Sequence, residues 1–286
     1  MIRTEDELRR EIVEIGRWIH GQGLVSGYDG NISARLDAHR ILSTPTAISK
    51  GMMQPDDLVI VDYAGNKITG RRNVTSELAM HLLIYRRRSD INAVVHAHPP
   101  TATGYAAAGL SLNKALISEV VLSFGCIPLA RYGTPGTPEL TEALAPLVGS
   151  YDAILMANHG VVTYGPDLLR AYFRMETVEH FAKISLVTEI LGRQVLLSGS
   201  EVDKLLAVRQ RYFGSGTPAV ERTNICPVTD APEAAAVSKP AVGSGGPGAT
   251  SMPSGACDAA ERVTVSREDL VAMVREAVAK AVERPE

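Results

Sequence analysis

The chain is 286 residues long, 45% hydrophobic and 21% charged, with a formal net charge of −3. It is long enough to bury a real core, and its near-neutral balance argues against a nucleic-acid or anionic-membrane partner. Cys126, Cys226 and Cys257 form neither a CxxC pair nor a disulfide framework, and no signal peptide or membrane-length apolar run is evident, so the sequence predicts a cytoplasmic protein.

Leu8, Ile12, Ile15 and Ile19 recur at helical spacing and predict an amphipathic helix over 5–22, ended by Gly21 and Gly23. Segments 33–36 and 40–43 read as short paired strands across Asp37-Ala38-His39. Segments 58–62 and 64–68 read as a hairpin turning on Gly65-Asn66. A helix is predicted over 76–88, with Thr75 or Ser76 at its cap and Arg86, Arg87 and Arg88 in its last turn, where the helix dipole favours cations. Then come a strand over 93–98, a helix over 101–108, a strand over 153–157 and a long helix over 167–192. Short turns between the early strands argue against a regular parallel βαβ repeat. They predict an α/β domain of three layers, with a mostly antiparallel or mixed central sheet flanked by helices.

Composition changes near residue 214. The stretch 231–260 contains no Leu, no Ile and no aromatic residue, so it cannot offset the entropy of ordering. The expected organisation is a catalytic domain over 1–213, a flexible Gly/Pro/Ser/Ala-rich linker over 214–262 and an amphipathic helix over 263–286. In that helix Ser266 is the cap, and Leu270, Met273, Val274, Ala277, Val278, Ala281 and Val282 line one face. So short a helix needs a cover for its apolar stripe: its own domain, another copy, or a partner.

The chemistry-bearing residues fall into two groups. His96-Ala97-His98 follows the apolar run Ala93-Val94-Val95, and alternation on a strand sends both imidazoles to one face. Taken alone, the pair reads as surface histidines of an edge strand. His159, followed by Gly160 behind another apolar strand, adds a third ligand, and three histidines with an open fourth position suit a catalytic metal. Glu77 is the candidate general acid–base, which calls for a carboxyl raised toward neutrality by partial burial; by itself it is an ordinary first-turn glutamate. The second group is Gly27-Tyr28-Asp29-Gly30-Asn31-Ile32-Ser33 with Thr44-Pro45-Thr46 and Thr75-Ser76. It supplies hydroxyls, amides and glycine backbone suited to an anion such as phosphate, without the spacing of a P-loop or a Rossmann fingerprint. Of the other polar residues, His20 and His39 read as surface, His81 as a helix-face residue or a partner of the site, and His180 as packing. Glu176 and Glu179 read as solvated, and Glu119 as a polar residue at a strand start.

In order, GNIS, STPTAIS, TSE, VVHAHP and ANHG closely resemble the class II aldolase/adducin family, in particular its fuculose-phosphate aldolase type, over roughly residues 5–195. The resemblance implies a compact α/β domain assembled as a homotetramer with active sites between subunits. His96, His98 and His159 would bind one divalent metal per subunit, zinc foremost. Glu77 would move the proton and join the ligands when substrate is absent. Gly30, Asn31, Thr46, Ala47, Thr75 and Ser76 would hold the phosphate of a sugar-phosphate substrate. The implied reaction cleaves a ketose 1-phosphate of the L-fuculose or L-rhamnulose type to dihydroxyacetone phosphate and a short aldehyde such as lactaldehyde.

The chain departs from the family at Ala47, where glycine is usual, and at Thr75, where many relatives carry serine. Tyr212 stands where some relatives close the site with a tyrosine. Sugar-phosphate 4-epimerases on the same fold usually place Asp at the position of Glu77. Methylthioribulose-phosphate dehydratases place their acid–base downstream, where Glu119 lies. Adducin-type binding modules keep the fold without the full metal set. The linker and terminal helix resemble the encapsulation peptides of bacterial microcompartment cargo, which implies shell proteins as partners and a place inside a microcompartment.

Overall fold

Thr4 starts the first helix: its hydroxyl accepts from the Glu7 N–H while the Glu7 carboxylate takes the Thr4 N–H, a reciprocal capping box. A computed structural model describes residues 3–213. The elements in order are α1 (Glu5–Gly21), β1 (Asn31–Arg35), β2 (Arg40–Ser43), β3 (Val59–Asp62), β4 (Lys67–Thr69), α2 (Leu78–Arg87), β5 (Ala93–Ala97) and α3 (Pro100–Ala107). There follow α4 (Ser118–Phe124), β6 (Leu129–Ala130), α5 (Pro138–Val148), β7 (Ala153–Met156), β8 (Gly160–Gly165), α6 (Leu168–Ile190) and α7 (Gly199–Phe213). The strands form one mixed sheet ordered β4-β3-β2-β1-β5-β8-β7-β6, antiparallel except for the β6–β7 pair. This is the predicted class of fold.

Helices cover both faces, because successive strand residues supply opposite cores. On β5, Val95 joins the core built by Leu8, Ile12 and Ile15 of α1 with Met175, Val178 and Phe181 of α6. Its neighbour Val94 joins the opposite core, with Leu82 and Ile84 of α2 and Leu140 and Leu144 of α5. His96 lies two residues from Val94 and so faces the α2 side.

Several boundaries differ from expectation. Helix α2 starts at Leu78 rather than 76: the Thr75 hydroxyl accepts the Glu77 N–H and holds 75–77 as a turn. Glu77 is therefore the N-cap residue, its side chain makes no capping bond, and its carboxylate is free to leave the helix. Strand β5 ends at Ala97, since the N–H of His98 goes to the Leu24 carbonyl instead of the sheet. Glu119 lies in the first turn of helix α4, not at a strand start. Glu179 is buried, not solvated; its carboxylate accepts the N–H groups of Thr101 and Ala102, capping α3 from α6. Glu176 accepts from Gln22 and Tyr172, and His180 is exposed rather than packed. The predicted linker 214–262 and helix 263–286 lie outside the described residues, as does the side chain of Tyr212. Among the described residues no helix is long and apolar enough to cross a membrane.

Candidate metal centre

Two structural units bring the histidines together. His96 is the penultimate residue of β5 and His98 lies just beyond the strand, while His159 sits in the tight turn Ala157-Asn158-His159 between β7 and β8. Asn158 takes a left-handed conformation (φ 54°), which its short amide tolerates. Gly160 makes the convergence possible. A Cβ there would stand 2.5 Å from the His98 ring and 2.6 Å from the Ala97 carbonyl oxygen. Antiparallel β5–β8 pairing then holds His96 against Val162.

The donors fit a small divalent ion. The Nδ1 atom of His96 lies 2.8 Å from the Val161 carbonyl oxygen, which only accepts, so Nδ1 carries the proton and the Nε2 lone pair points inward. That Nε2 is 3.2 Å from Nε2 of His98 and 3.3 Å from Oε2 of Glu77, and Nε2 of His159 is 3.0 Å from Oε1 of Glu77. Donor atoms around a small ion with bonds of about 2.0–2.1 Å stand about 3.3 Å apart, and these three spacings are close to that value. Candidate ligand atoms of the three histidines all lie within 4.8 Å of one another. Glu77 Oε1 is buried and makes no directional hydrogen bond despite the nearby imidazole, the state of a carboxylate oxygen awaiting a cation. On the outer side of His98, Asp29 Oδ2 lies 3.4 Å from Nδ1 and helps to orient the ring.

Electrostatics follow from burial and pairing. Burial pushes the Glu77 carboxyl up, but the charge of His96 and the adjoining His159 imidazole outweigh it and hold the group well below the usual carboxylate range. The net direction is thus opposite to the expected rise toward neutrality, and without a metal the carboxyl is ionised at neutral pH. Burial pulls His96 down, and Glu77 with the Val161 carbonyl reverses this to a net rise. His98 falls to about 4, through burial and then the neighbouring His96 and His159.

The anion-binding candidates assemble beside this cluster. The Thr46 N–H donates to the Asn73 carbonyl and Pro45 bridges Val74, so Thr46 and Ala47 lie alongside Thr75 and Ser76. Thr46, Ala47 and Ser76 are exposed, and Thr75 is buried. Gly30 (φ 73°) packs so closely that a Cβ would stand 2.7 Å from the His96 carbonyl oxygen. Lys50, which sequence reasoning missed, ties the two loops together: its buried ammonium donates to the carbonyls of Tyr28 and Ile48 at 3.1 and 2.8 Å. Burial brings it down to about 8 against the opposing charge of Asp29. Ala47 keeps a left-handed backbone (φ 56°), which costs a residue with a Cβ roughly 1–2 kcal/mol. Asn31 is not open to the loop in the expected way, because its amide Nδ2 donates to Glu77 Oε2 at 2.8 Å and only 3% of the residue is exposed. Glu119 lines a separate cleft with Glu176, Glu179 and His180.

Three convergent imidazoles, a buried carboxylate and an adjoining polar cradle on a mixed sheet are the parts of a metal-dependent enzyme site. The family model of the class II aldolase and adducin N-terminal domain matches residues 10–186. A 5-deoxy-D-ribulose 1-phosphate aldolase of Bacillus thuringiensis serovar kurstaki is 34% identical over 207 residues, 71% of this chain and 96% of that protein. A 3-oxo-tetronate 4-phosphate decarboxylase of Pectobacterium atrosepticum is also 34% identical, over 190 residues, 65% of this chain and 87% of that one. Among solved structures, an L-fuculose 1-phosphate aldolase superposes with a TM-score of 0.66 at 30% identity, covering 72% of this chain and 96% of the other. The chain belongs to the class II aldolase/adducin family.

Proposed function

We propose that the protein cleaves a ketose 1-phosphate, of the L-fuculose, L-rhamnulose or 5-deoxypentulose type, to dihydroxyacetone phosphate and a short aldehyde. The observation that carries this reading is the convergence of His96, His98 and His159 on Glu77 beside the Thr46–Ala47 and Thr75–Ser76 segments. The three histidines would hold one divalent ion, zinc by donor type; such an ion supplies Lewis-acid polarisation of the substrate carbonyl. Thr46, Thr75 and Ser76, with the backbone at Gly30 and Ala47, would hold the phosphate and so fix the distance from phosphate to reacting carbon. Glu77 is ionised and aimed at the same point. In the condensation direction it takes the proton from the carbon that will form the bond, and in cleavage it returns that proton to the same carbon.

Decarboxylation of a 3-oxo acid phosphate is the second reading, favoured by the equal identity to a decarboxylase. Both reactions leave an electron pair on carbon beside a carbonyl, so one site serves either. Product analysis of the metal-replete protein separates them. Fuculose, rhamnulose and 5-deoxyribulose 1-phosphates are expected to yield dihydroxyacetone phosphate and an aldehyde; carbon dioxide with dihydroxyacetone phosphate from 3-oxo-tetronate 4-phosphate, and no cleavage of the three sugar phosphates, would replace the aldolase reading, and an intact 4-epimer would replace both.

The active unit is taken to be a homotetramer with sites between subunits, and the segment 263–286 an address for microcompartment shell proteins. Deletion of 215–286 is expected to leave turnover within about twofold, since no candidate site residue lies there, and to abolish co-purification with shell proteins. Co-purification that survives the deletion removes that role from the tail.

A further inference from the structure

Two combs of side chains interleave beneath Glu77. On β1, Asn31 and Ser33 are two residues apart and face the same way; on α2, Glu77, His81 and Tyr85 recur every four residues and form one stripe. The contacts run in alternation. Asn31 Nδ2 is 2.8 Å from Glu77 Oε2, Asn31 Oδ1 is 2.5 Å from His81 Nε2, His81 Nδ1 is 2.6 Å from Ser33 Oγ, and Ser33 Oγ is 2.8 Å from the Tyr85 hydroxyl. Asn31, Ser33, His81 and Tyr85 are each 3% exposed or less, so water does not compete.

The direction of every bond follows from the amide. Asn31 presents its Nδ2 to Glu77 Oε2 and therefore its carbonyl oxygen to the His81 ring. His81 must then carry its proton on Nε2. Its Nδ1 becomes an acceptor, Ser33 must donate to it, and Ser33 in turn accepts from Tyr85. Burial, and then the charge of nearby His96, hold His81 down to about 3, which keeps the ring neutral with a single N–H. A chain of donors thus begins at Tyr85 and ends at Glu77 Oε2.

We propose that His81 is a positioning residue that acts through Asn31: by donating to Oδ1 it prevents the amide from flipping and so fixes the orientation of the Glu77 carboxylate. This rests on the reading of Glu77 as the proton-transferring group. Without the His81 donor, Asn31 can turn its oxygen toward Glu77, and the like-charged faces push the carboxylate off its line. Misplacement of this kind costs rate rather than binding.

The test compares His81→Leu, His81→Gln and Glu77→Gln in the metal-replete full chain, together with nitrogen NMR of the histidine rings. His81→Leu is expected to lower kcat about tenfold to a hundredfold with KM within about twofold and metal content unchanged. His81→Gln, whose amide nitrogen can still donate to Asn31, is expected to recover most of that loss, and the wild-type His81 ring is expected in the Nε2–H form. Ser33→Ala, which removes one oxygen, is the companion if His81→Leu does not fold, and is expected to lower kcat in the same direction. A ring protonated on Nδ1, wild-type kcat in both His81→Leu and Ser33→Ala, or a Gln variant no better than Leu overturns the inference. If Glu77→Gln is inactive while His81→Leu is not, only the inference falls. If Glu77→Gln stays fully active, the reading of Glu77 falls and takes the role of His81 with it, whatever tautomer the ring adopts.

Discussion

Glu77→Gln is expected to lower kcat by about 10²- to 10⁴-fold, the range for removing a positioned proton-transfer group, while the protein keeps one metal per subunit. The substitution is nearly isosteric, so its effect isolates ionisation. Asn31 can still donate to the remaining side-chain oxygen, and the three imidazoles, which supply most of the donor set, are untouched. What disappears is a base that His96 and His159 hold ionised against the pull of burial. Turnover and metal content must be measured on the same preparation, because Glu77 stands at ligand distance from the imidazoles and a lost ion would also silence the enzyme. Near-normal turnover with metal bound would be incompatible with the proposed role.

Removal of the metal should be the other large effect. Chelation is expected to abolish turnover and to lower stability by RT ln(1 + [M]/Kd), about 4 kcal/mol when free metal stands at a thousandfold its Kd, and readdition should restore both. His96→Ala, His98→Ala and His159→Ala should each reproduce the chelated state. The pH dependence has a definite sign. His96 is raised above its unfolded value, so its protonated pairing with Glu77 stabilises the metal-free protein at low pH, and that contribution is lost as pH rises through the raised folded value. An ion needs the neutral ring, so metal binding must expel that proton. The apparent affinity should therefore climb about tenfold per pH unit below the raised value and level off above it, as measured by competition with a chromophoric chelator from pH 5.5 to 8. A flat profile, or full activity after exhaustive chelation, would rule out the centre described here.

The cluster was legible in the sequence because its residues adjoin strong apolar strands: His96 and His98 follow Ala93-Val94-Val95, and His159 follows the run ending at Met156. The antiparallel sheet was legible from short turns. Other elements were not. Helix α4 carries Val120, Val121 and Leu122 in seven residues, a β-branched and aliphatic run that reads as strand until its packing against α7 is known. Strand β8 is separated from β7 by only three residues, one of them left-handed, so the two merge into one apolar stretch. Within the site, His81 was legible as a residue one turn after Glu77, without Tyr85. Its significance depends on Asn31 and Ser33, about fifty positions earlier, and only the packing of α2 on β1 brings them into register. The ionised state of Glu77 was likewise hidden, since it depends on the approach of one ring from β5 and another from the β7–β8 turn.

Antiparallel pairing sets Asn31 of β1 directly opposite His96 of β5, and the same strand holds His96 against Val162 of β8 on its other edge. His96 and Asn31 are therefore fixed by the ladder at the middle of the sheet, while His98, His159 and Glu77 sit just beyond the ends of strands and helix. Displacing His96 means breaking that ladder, so ion binding at this ring is expected to be coupled to the cooperative unit rather than to a local fluctuation. A slip of one residue along β1 would carry Asn31 and Ser33 to the opposite face and dismantle the site while leaving nearly as many backbone bonds intact. An ion held by the three histidines would likewise favour the one pairing in which β5 and β8 are in step, because that pairing sets His96 beside the turn that carries His159.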